Sequence, residues 1–253
     1  LDSIPIFLLL LSLYVGIVKE KPFISVLFFV AGFLIKQSLI IFIPLYFIVS
    51  LKRHGLYKSI IQLLFFFSVC VVSAVLMAYT LQVLFITSST DITGYAFNFW
   101  SLFFPLQGAS DLQPFITGIN FQQTGYTIFS ITYIVVLLSF RKKKIVFDHL
   151  LLMFMVVAFS AFMFLTRLHE RHFLAVIPLL GFVLVTQAKQ VKVYVVLSVF
   201  HILNLVYVWN PITNKTMTFL FEPWSYRILA FTALVFFFYL FRNLFIGNEE
   251  YKK

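Results

Sequence analysis

The sequence predicts an all-α membrane protein, a polytopic bundle of about nine helical segments, and three observations carry that expectation. Of its 253 residues 62% are hydrophobic and only 11% charged, with a mean hydropathy of +1.01, a composition that needs a bilayer as solvent. Apolar runs recur along the whole chain. The basic residues, 19 Lys and Arg against 9 Asp and Glu for a net charge of +10, stand in short clusters between those runs. That spacing orients membrane helices rather than reading nucleic acid.

The runs are Ile4–Val18, Phe23–Leu51, Ser59–Leu84, Gly125–Phe140, Ile145–Leu165, Phe173–Gln187, Val193–Val208 and Arg227–Ile246. A crossing needs about 20 residues, so several extend into their polar flanks. Phe23–Leu51 is interrupted by Lys36, Gln37 and Ser38, with Pro44 following, and can be one long helix or two short ones. Charge decides between them. As a hairpin it puts Lys19/Lys21, Lys52/Arg53/Lys58, Arg141–Lys144, Lys189/Lys192, Arg242 and Lys252/Lys253 on one side, 14 of the 19 basic residues. A single crossing would put the Arg141–Lys144 block opposite Lys19, so the hairpin is expected. Each arm, about 13 residues or near 20 Å, is short of a core about 30 Å thick, which leaves the Lys36-Gln37 apex inside the membrane and lining a cavity.

This topology places the polar residues of interest on the extracytoplasmic side of a cell membrane: Leu1–Ser3, the hairpin apex, a loop over about 85–124, the cluster Arg167–His172 and the loop Trp209–Tyr226. The chain reads as a single polytopic domain over 1–253, without repeat or linker. It opens on Leu1 with no basic n-region or cleavage site, and is expected to be a fragment whose N-terminal part is missing. The lone Cys70 lies in an apolar run, so neither a disulfide framework nor a cysteine metal site is expected.

Chemistry concentrates in Thr166-Arg167-Leu168-His169-Glu170-Arg171-His172, set between apolar flanks. A charge at mid-bilayer costs about 2.5–3.5 kcal/mol, so such a cluster needs partners or water. If helical, it puts Arg167, Glu170 and Arg171 on one face, where two guanidinium groups grip an anion and the carboxylate holds them in place. The other reading is a tight interfacial loop with solvated charges. His169 and His172 are three apart with Glu170 between them, which is not the zincin spacing, so no metal site is expected.

Lys36 and Gln37 form a second polar point in an apolar run, read either as an anion site or as a snorkelling lysine. Gly94-Tyr95-Ala96-Phe97-Asn98-Phe99-Trp100 is either an interfacial aromatic belt or a short helix roofing a cavity, with Asn98 bonded to a sugar or to a neighbouring turn. A general base would come from Asp2, Asp91, Asp111, Glu170 and Glu222 on the outer face, or from the missing N-terminal part. No phosphate-cradling glycine loop, Ser/His/Asp arrangement or nucleic-acid motif is visible, and no cofactor is evident.

Several of these segments together resemble the C-terminal two thirds of the bacterial relatives of GPI mannosyltransferase II, in the GT-C superfamily of integral-membrane glycosyltransferases. They are Leu1-Asp2-Ser3-Ile4-Pro5 before an apolar helix, Leu34-Ile35-Lys36-Gln37 with Pro44, Ala96-Phe97-Asn98-Phe99-Trp100, Thr166 to Phe173, and Asn204-Leu205. Gln37 stands where the family often has proline, and His172 where it has an aromatic residue.

The resemblance implies transfer of a hexose, mannose by analogy, from a polyprenyl-phosphate donor to a glycan, lipid or protein acceptor on the outer face. Lys36, Arg167 and Arg171 would then meet the donor phosphate, with Glu170 orienting the arginines and His169 on phosphate or sugar. Gln37, Asn98 and Trp100 would contact substrate, and Asp2 would be an acceptor or auxiliary-base residue. The family's catalytic carboxylate is expected before Leu1. Two other classes stay open: an inactive homologue acting as an assembly partner, and a lipid or sugar transporter, although a transporter should show paired broken helices and only one interrupted segment is present.

Overall fold

A computed structural model describes residues 3–76, 90–116, 118–140, 146–186, 190–213 and 222–246. Asp2, Lys189, Lys215, Lys252, Lys253 and the block Arg141–Lys144 lie outside the described residues. Among the described residues are nine α-helices, joined by short 3-10 turns and one small β-hairpin. The chain forms two compact units, the first from 1–88 and 143–150, the second from 89–142 and 151–253.

The first unit contains α1 (Ser3–Ile17), α2 (Pro22–Ile35), α3 (Ile43–His54) and α4 (Leu56–Leu76). Pro22 opens α2, where its missing N–H costs nothing. Small residues let α1 and α2 pack closely: a Cβ on Gly16 would lie 2.6 Å from Ser25 Oγ. Ser12 Oγ donates to the Ser25 carbonyl at 2.7 Å, and Ser25 Oγ to the Ser12 carbonyl at 2.8 Å, which satisfies both hydroxyls inside an apolar contact.

After α2 the chain turns at Lys36, whose extended backbone (φ −146°, ψ 109°) stops the helix, then passes through a 3-10 turn (Gln37–Phe42) into α3. The two arms fold back on each other. Phe29 stacks on Tyr46 with ring centroids 4.3 Å apart, and Ser25 Oγ lies 2.7 Å from Tyr46 Oη. Helix α4 closes the base of the hairpin, since Gln62 donates to the Pro22 carbonyl and accepts from Ser50 Oγ. Phe66, fully buried, wedges against Phe29, Phe33 and Phe47. Gly55, at φ +83°, ends α3 in a conformation that suits glycine.

The second unit contains α5 (Phe121–Phe140), most of α6 (Phe147–Phe164), α7 (Val176–Thr186), α8 (Val191–Thr213) and α9 (Pro223–Ile246). Helix α5 begins four residues before its apolar run, because Asn120 and Gln123 cap it reciprocally: Gln123 N–H donates to Asn120 Oδ1 at 2.8 Å and Asn120 N–H to Gln123 Oε1 at 3.0 Å. Every residue of α6 from Leu151 to Phe164 is buried, which makes it the axis of the unit. Around it interlock Phe159, Phe162, Phe164, Phe173 and Phe237 in edge-to-face pairs.

Among the described residues, five helices are long and apolar enough to cross a membrane: α4, α5, α6, α8 and α9. Helices α1 and α2, apolar but with 15 and 14 residues, are shorter. Large apolar side chains face outward along the long helices, among them Leu64, Phe67, Val71 and Val75 on α4 and Phe231, Val235 and Phe238 on α9. Apolar surface on this scale fits a lipid environment, so the chain is a helical membrane protein.

Candidate functional site

The second unit gathers the cation cluster and the aromatic loop into one construction. Residues 90–120 are folded on themselves rather than draped between helices. Ile92 N–H donates to the Ala109 carbonyl at 2.8 Å, Asp111 N–H to the Thr90 carbonyl at 2.8 Å, and Thr93 Oγ1 to the Leu106 carbonyl at 2.7 Å. A satellite core of Ile92, Trp100 and Phe121 lies beneath, packed against Phe99, Phe104 and Ala109. An exposed β-hairpin, β1 (Pro114–Ile116) against β2 (Ile119–Asn120), returns the chain to α5.

The cluster at the end of α6 is not helical where the charges begin. Helix α6 ends at Phe164, Arg167 has φ +61°, and the 3-10 turn Glu170–Ala175 starts three residues later. Arg167, Glu170 and Arg171 therefore do not share a helical face. The carboxylate that holds Arg167 is Asp111 rather than Glu170. Arg167 Nε donates to Asp111 Oδ2 at 2.8 Å and Nη2 to Oδ1 at 3.1 Å, while Thr166 Oγ1 donates to Oδ2 at 2.7 Å. Asp111 is completely buried, and its hydrogen bonds hold the Arg167 guanidinium above its ordinary pKa. With two donors on Oδ2 and one on Oδ1, Asp111 is structural in this arrangement and leaves the set of candidate bases.

The loop is knitted to the cluster through backbone. Arg167 N–H donates to the Asp91 carbonyl at 3.2 Å, and Tyr95 pairs with His169 in an antiparallel bridge. Gly94 makes that approach possible. Its φ is +47°, and a Cβ there would lie 2.6 Å from the Leu168 carbonyl oxygen. Gly94→Ala is therefore expected to separate the two strands and destabilise the unit by about 2 kcal/mol, read as a fall in the unfolding midpoint in detergent.

The aromatic loop motif turns inward. Asn98 is fully buried and caps a 3-10 turn (Phe99–Leu102), its Oδ1 accepting from Trp100 N–H at 3.1 Å and from Ser101 N–H at 3.4 Å. Trp100 is buried and its Nε1–H donates to the Phe164 carbonyl at 2.8 Å, tying the loop to the last turn of α6. Asn98 Oδ1 makes the bond to the neighbouring turn, while its buried Nδ2 has no hydrogen-bond partner among the described residues.

His169 N–H donates to His172 Nδ1 at 2.9 Å, and His172 N–H to the His169 carbonyl at 3.0 Å. An Nδ1 that accepts this N–H carries no proton, and the same atom lies 3.1 Å from the His169 carbonyl oxygen. The signal was the spacing of three, which read only as a failed zinc motif. Arg171 is exposed at the second position of the 3-10 turn, and the neighbouring Glu170 is buried. Within the described residues neither side chain enters an ion pair or hydrogen bond.

Sequence reasoning placed Asn204 only as fitting the resemblance. In the structure it lies fully buried on α8, donating from Nδ2 to the Tyr95 carbonyl at 2.8 Å and accepting the Phe97 N–H on Oδ1 at 3.2 Å. One amide thus takes the place of a strand partner for the loop. Lys36 and Gln37 belong to the first unit, at the turn of the hairpin, with Lys36 half-buried and Gln37 exposed. Asp2 lies outside the described residues. No group of three or more His, Cys, Asp or Glu able to hold a metal occurs among the described residues. Compared with family models, with curated proteins and with solved structures, the chain matches none.

Proposed function

We propose that the protein is a membrane glycosyltransferase of the GT-C kind, moving a hexose from a polyprenyl-phosphate donor to an acceptor on the extracytoplasmic face. The observation that carries the reading is an exposed Arg171 on a segment fixed from three directions: the Asp111–Arg167 pair, the Tyr95–His169 bridge and the His169–His172 cap. A cation held still beside an apolar bundle suits a lipid-linked phosphate, which must sit at the membrane boundary to react.

In the transfer, an acceptor hydroxyl oxygen bonds to the anomeric carbon as its proton passes to a carboxylate base, while the bond from that carbon to the phosphate oxygen breaks and its electron pair goes to the phosphate. Arg171 meets that developing charge, with His169 beside it. The charge of Arg167 is already balanced by Asp111, so its part is to hold the segment. Glu170, one residue from Arg171, is the nearest carboxylate in sequence for a hydroxyl of the sugar or acceptor.

The test uses the full-length protein in liposomes with a polyprenyl-phosphate hexose. Arg171→Ala is expected to lower turnover by about 100-fold or more, the loss typical of one electrostatic stabiliser, with Arg171→Lys recovering part of it and membrane insertion unchanged. Equal turnover in wild type and Arg171→Ala would remove this cluster from the mechanism. Absence of transfer by the wild type from any hexosyl donor would favour the assembly-partner reading.

A further inference from the structure

The first unit carries a second charged surface, remote in sequence from the cluster above. The turn between α1 and α2 (Val18–Lys21) and the junction of α3 with α4 are drawn together by an ion pair between Glu20 and Arg53, and by the Gln62 bond to Pro22. Lys19, Lys21, Lys52, Arg53 and Lys58 are all exposed on these two turns, with His54 half-buried among them. Glu20 is the only acidic residue in these segments and is already committed to Arg53. His54 records the local field. Burial, then the positive charges of Lys58 and Arg53, keep its pKa below the ordinary value despite the Gly16 carbonyl and Glu20.

Beside the cations lies exposed apolar surface: Phe23 opening α2, Leu51 near the end of α3, Leu56 and Tyr57 opening α4. Lys19 Nζ also sits 5.5 Å from the centre of the Tyr14 ring, which holds that lysine against the helix. Cations above, apolar and aromatic side chains beside them, and one compensated carboxylate make a surface that takes a negative headgroup with its chains attached. We propose that this end of the first unit binds an anionic phospholipid, its phosphate among Lys19, Lys21 and Lys58 and its acyl chains along Phe23, Leu51 and Leu56. The charge complementarity commits the surface to a lipid of net negative charge over a zwitterionic one.

The test is native mass spectrometry of the intact protein in detergent with palmitoyl-oleoyl phosphatidylglycerol or phosphatidylcholine at equal concentration. Phosphatidylglycerol occupancy is expected to exceed phosphatidylcholine by about tenfold or more, since each basic residue near an anionic headgroup favours it by about fivefold. Changing Lys19, Lys21 and Lys58 together to Gln should erase that preference, whereas the charge-matched change of Lys192, Arg227 and Arg242 to Gln should leave most of it. Glu20→Gln removes the one negative charge and frees Arg53, so it should raise phosphatidylglycerol occupancy, a gain that a folding defect would not produce. Equal binding of the two lipids, equal losses in the two triple variants, or a loss in Glu20→Gln would each overturn the proposal. Excess glycerol 3-phosphate should leave the adducts in place, and displacement by it would make the site one for soluble phosphate and overturn the lipid assignment.

Discussion

Asp111→Ala is expected to lower stability by about 3 kcal/mol, because it removes the acceptor for three donors at once and leaves the Arg167 guanidinium without a counter-ion. The lower end of the range for a broken buried pair applies, since the Arg167 side chain is 28% exposed and water can reach part of it. For a chain of this length that loss corresponds to a fall of about 6–12 °C in the unfolding midpoint, measurable by circular dichroism in detergent. Asp111→Asn keeps an acceptor oxygen but not the charge, and should fall between Ala and wild type. The Asp111→Ala, Arg167→Ala double variant should be more stable than Asp111→Ala alone, because no unpaired charge remains. Additive losses in that cycle would mean that the ion pair does not hold the segment. On the proposed transferase reading, Asp111→Ala should also lower sugar transfer at temperatures where the protein stays folded, because Arg171 lies on the same segment.

Much of the fold could be read from charge and hydropathy. The break at Lys36 followed from one lysine in an apolar run together with the arithmetic of the basic clusters, and the helix does stop there, with Phe29 stacked on Tyr46 across the turn. Helix ends were less legible. The capping pair Asn120 and Gln123 lies in polar sequence before the apolar run of α5, so hydropathy alone starts that helix late. The described residues hold nine α-helices, in line with the about nine helical segments expected, and five of them have the length for a full crossing.

The candidate site was legible in composition but not in wiring. Proximity along the chain made Glu170 the natural partner for Arg167. The actual partner, Asp111, comes from a loop 56 residues earlier, a separation over which spacing rules carry no information. The positive φ at Arg167 has no sequence signature either, because arginine seldom adopts that conformation. The motif residues Asn98 and Trp100 bond to backbone, Asn98 Oδ1 to its own turn and Trp100 Nε1–H to the Phe164 carbonyl. An aromatic-rich loop reads the same from sequence whether its rings face a sugar or fill a small core.

Asn204→Leu tests the other half of that wiring. Leucine is close in volume to asparagine and suits α8, so helix formation is not at issue. What is lost are two hydrogen bonds to the loop backbone, leaving the half-buried Tyr95 carbonyl and the buried Phe97 N–H without this partner. At about 1–3 kcal/mol for each buried group left unsatisfied, the expected loss is about 2–6 kcal/mol, comparable with that of Asp111→Ala. Asn204→Asp should be no better, since a carboxylate cannot donate to the Tyr95 carbonyl and brings a charge into an apolar helix face. Hydrogen exchange separates a local effect from a global one. The Phe97 amide should exchange faster in Asn204→Leu by a larger factor than amides in the middle of α6, because the loop loses its anchor while the axis of the unit keeps its packing. If the Phe97 amide kept its wild-type protection, α8 would not be what holds the loop, and the Tyr95–His169 bridge would have to be sustained from the Asp111 side alone.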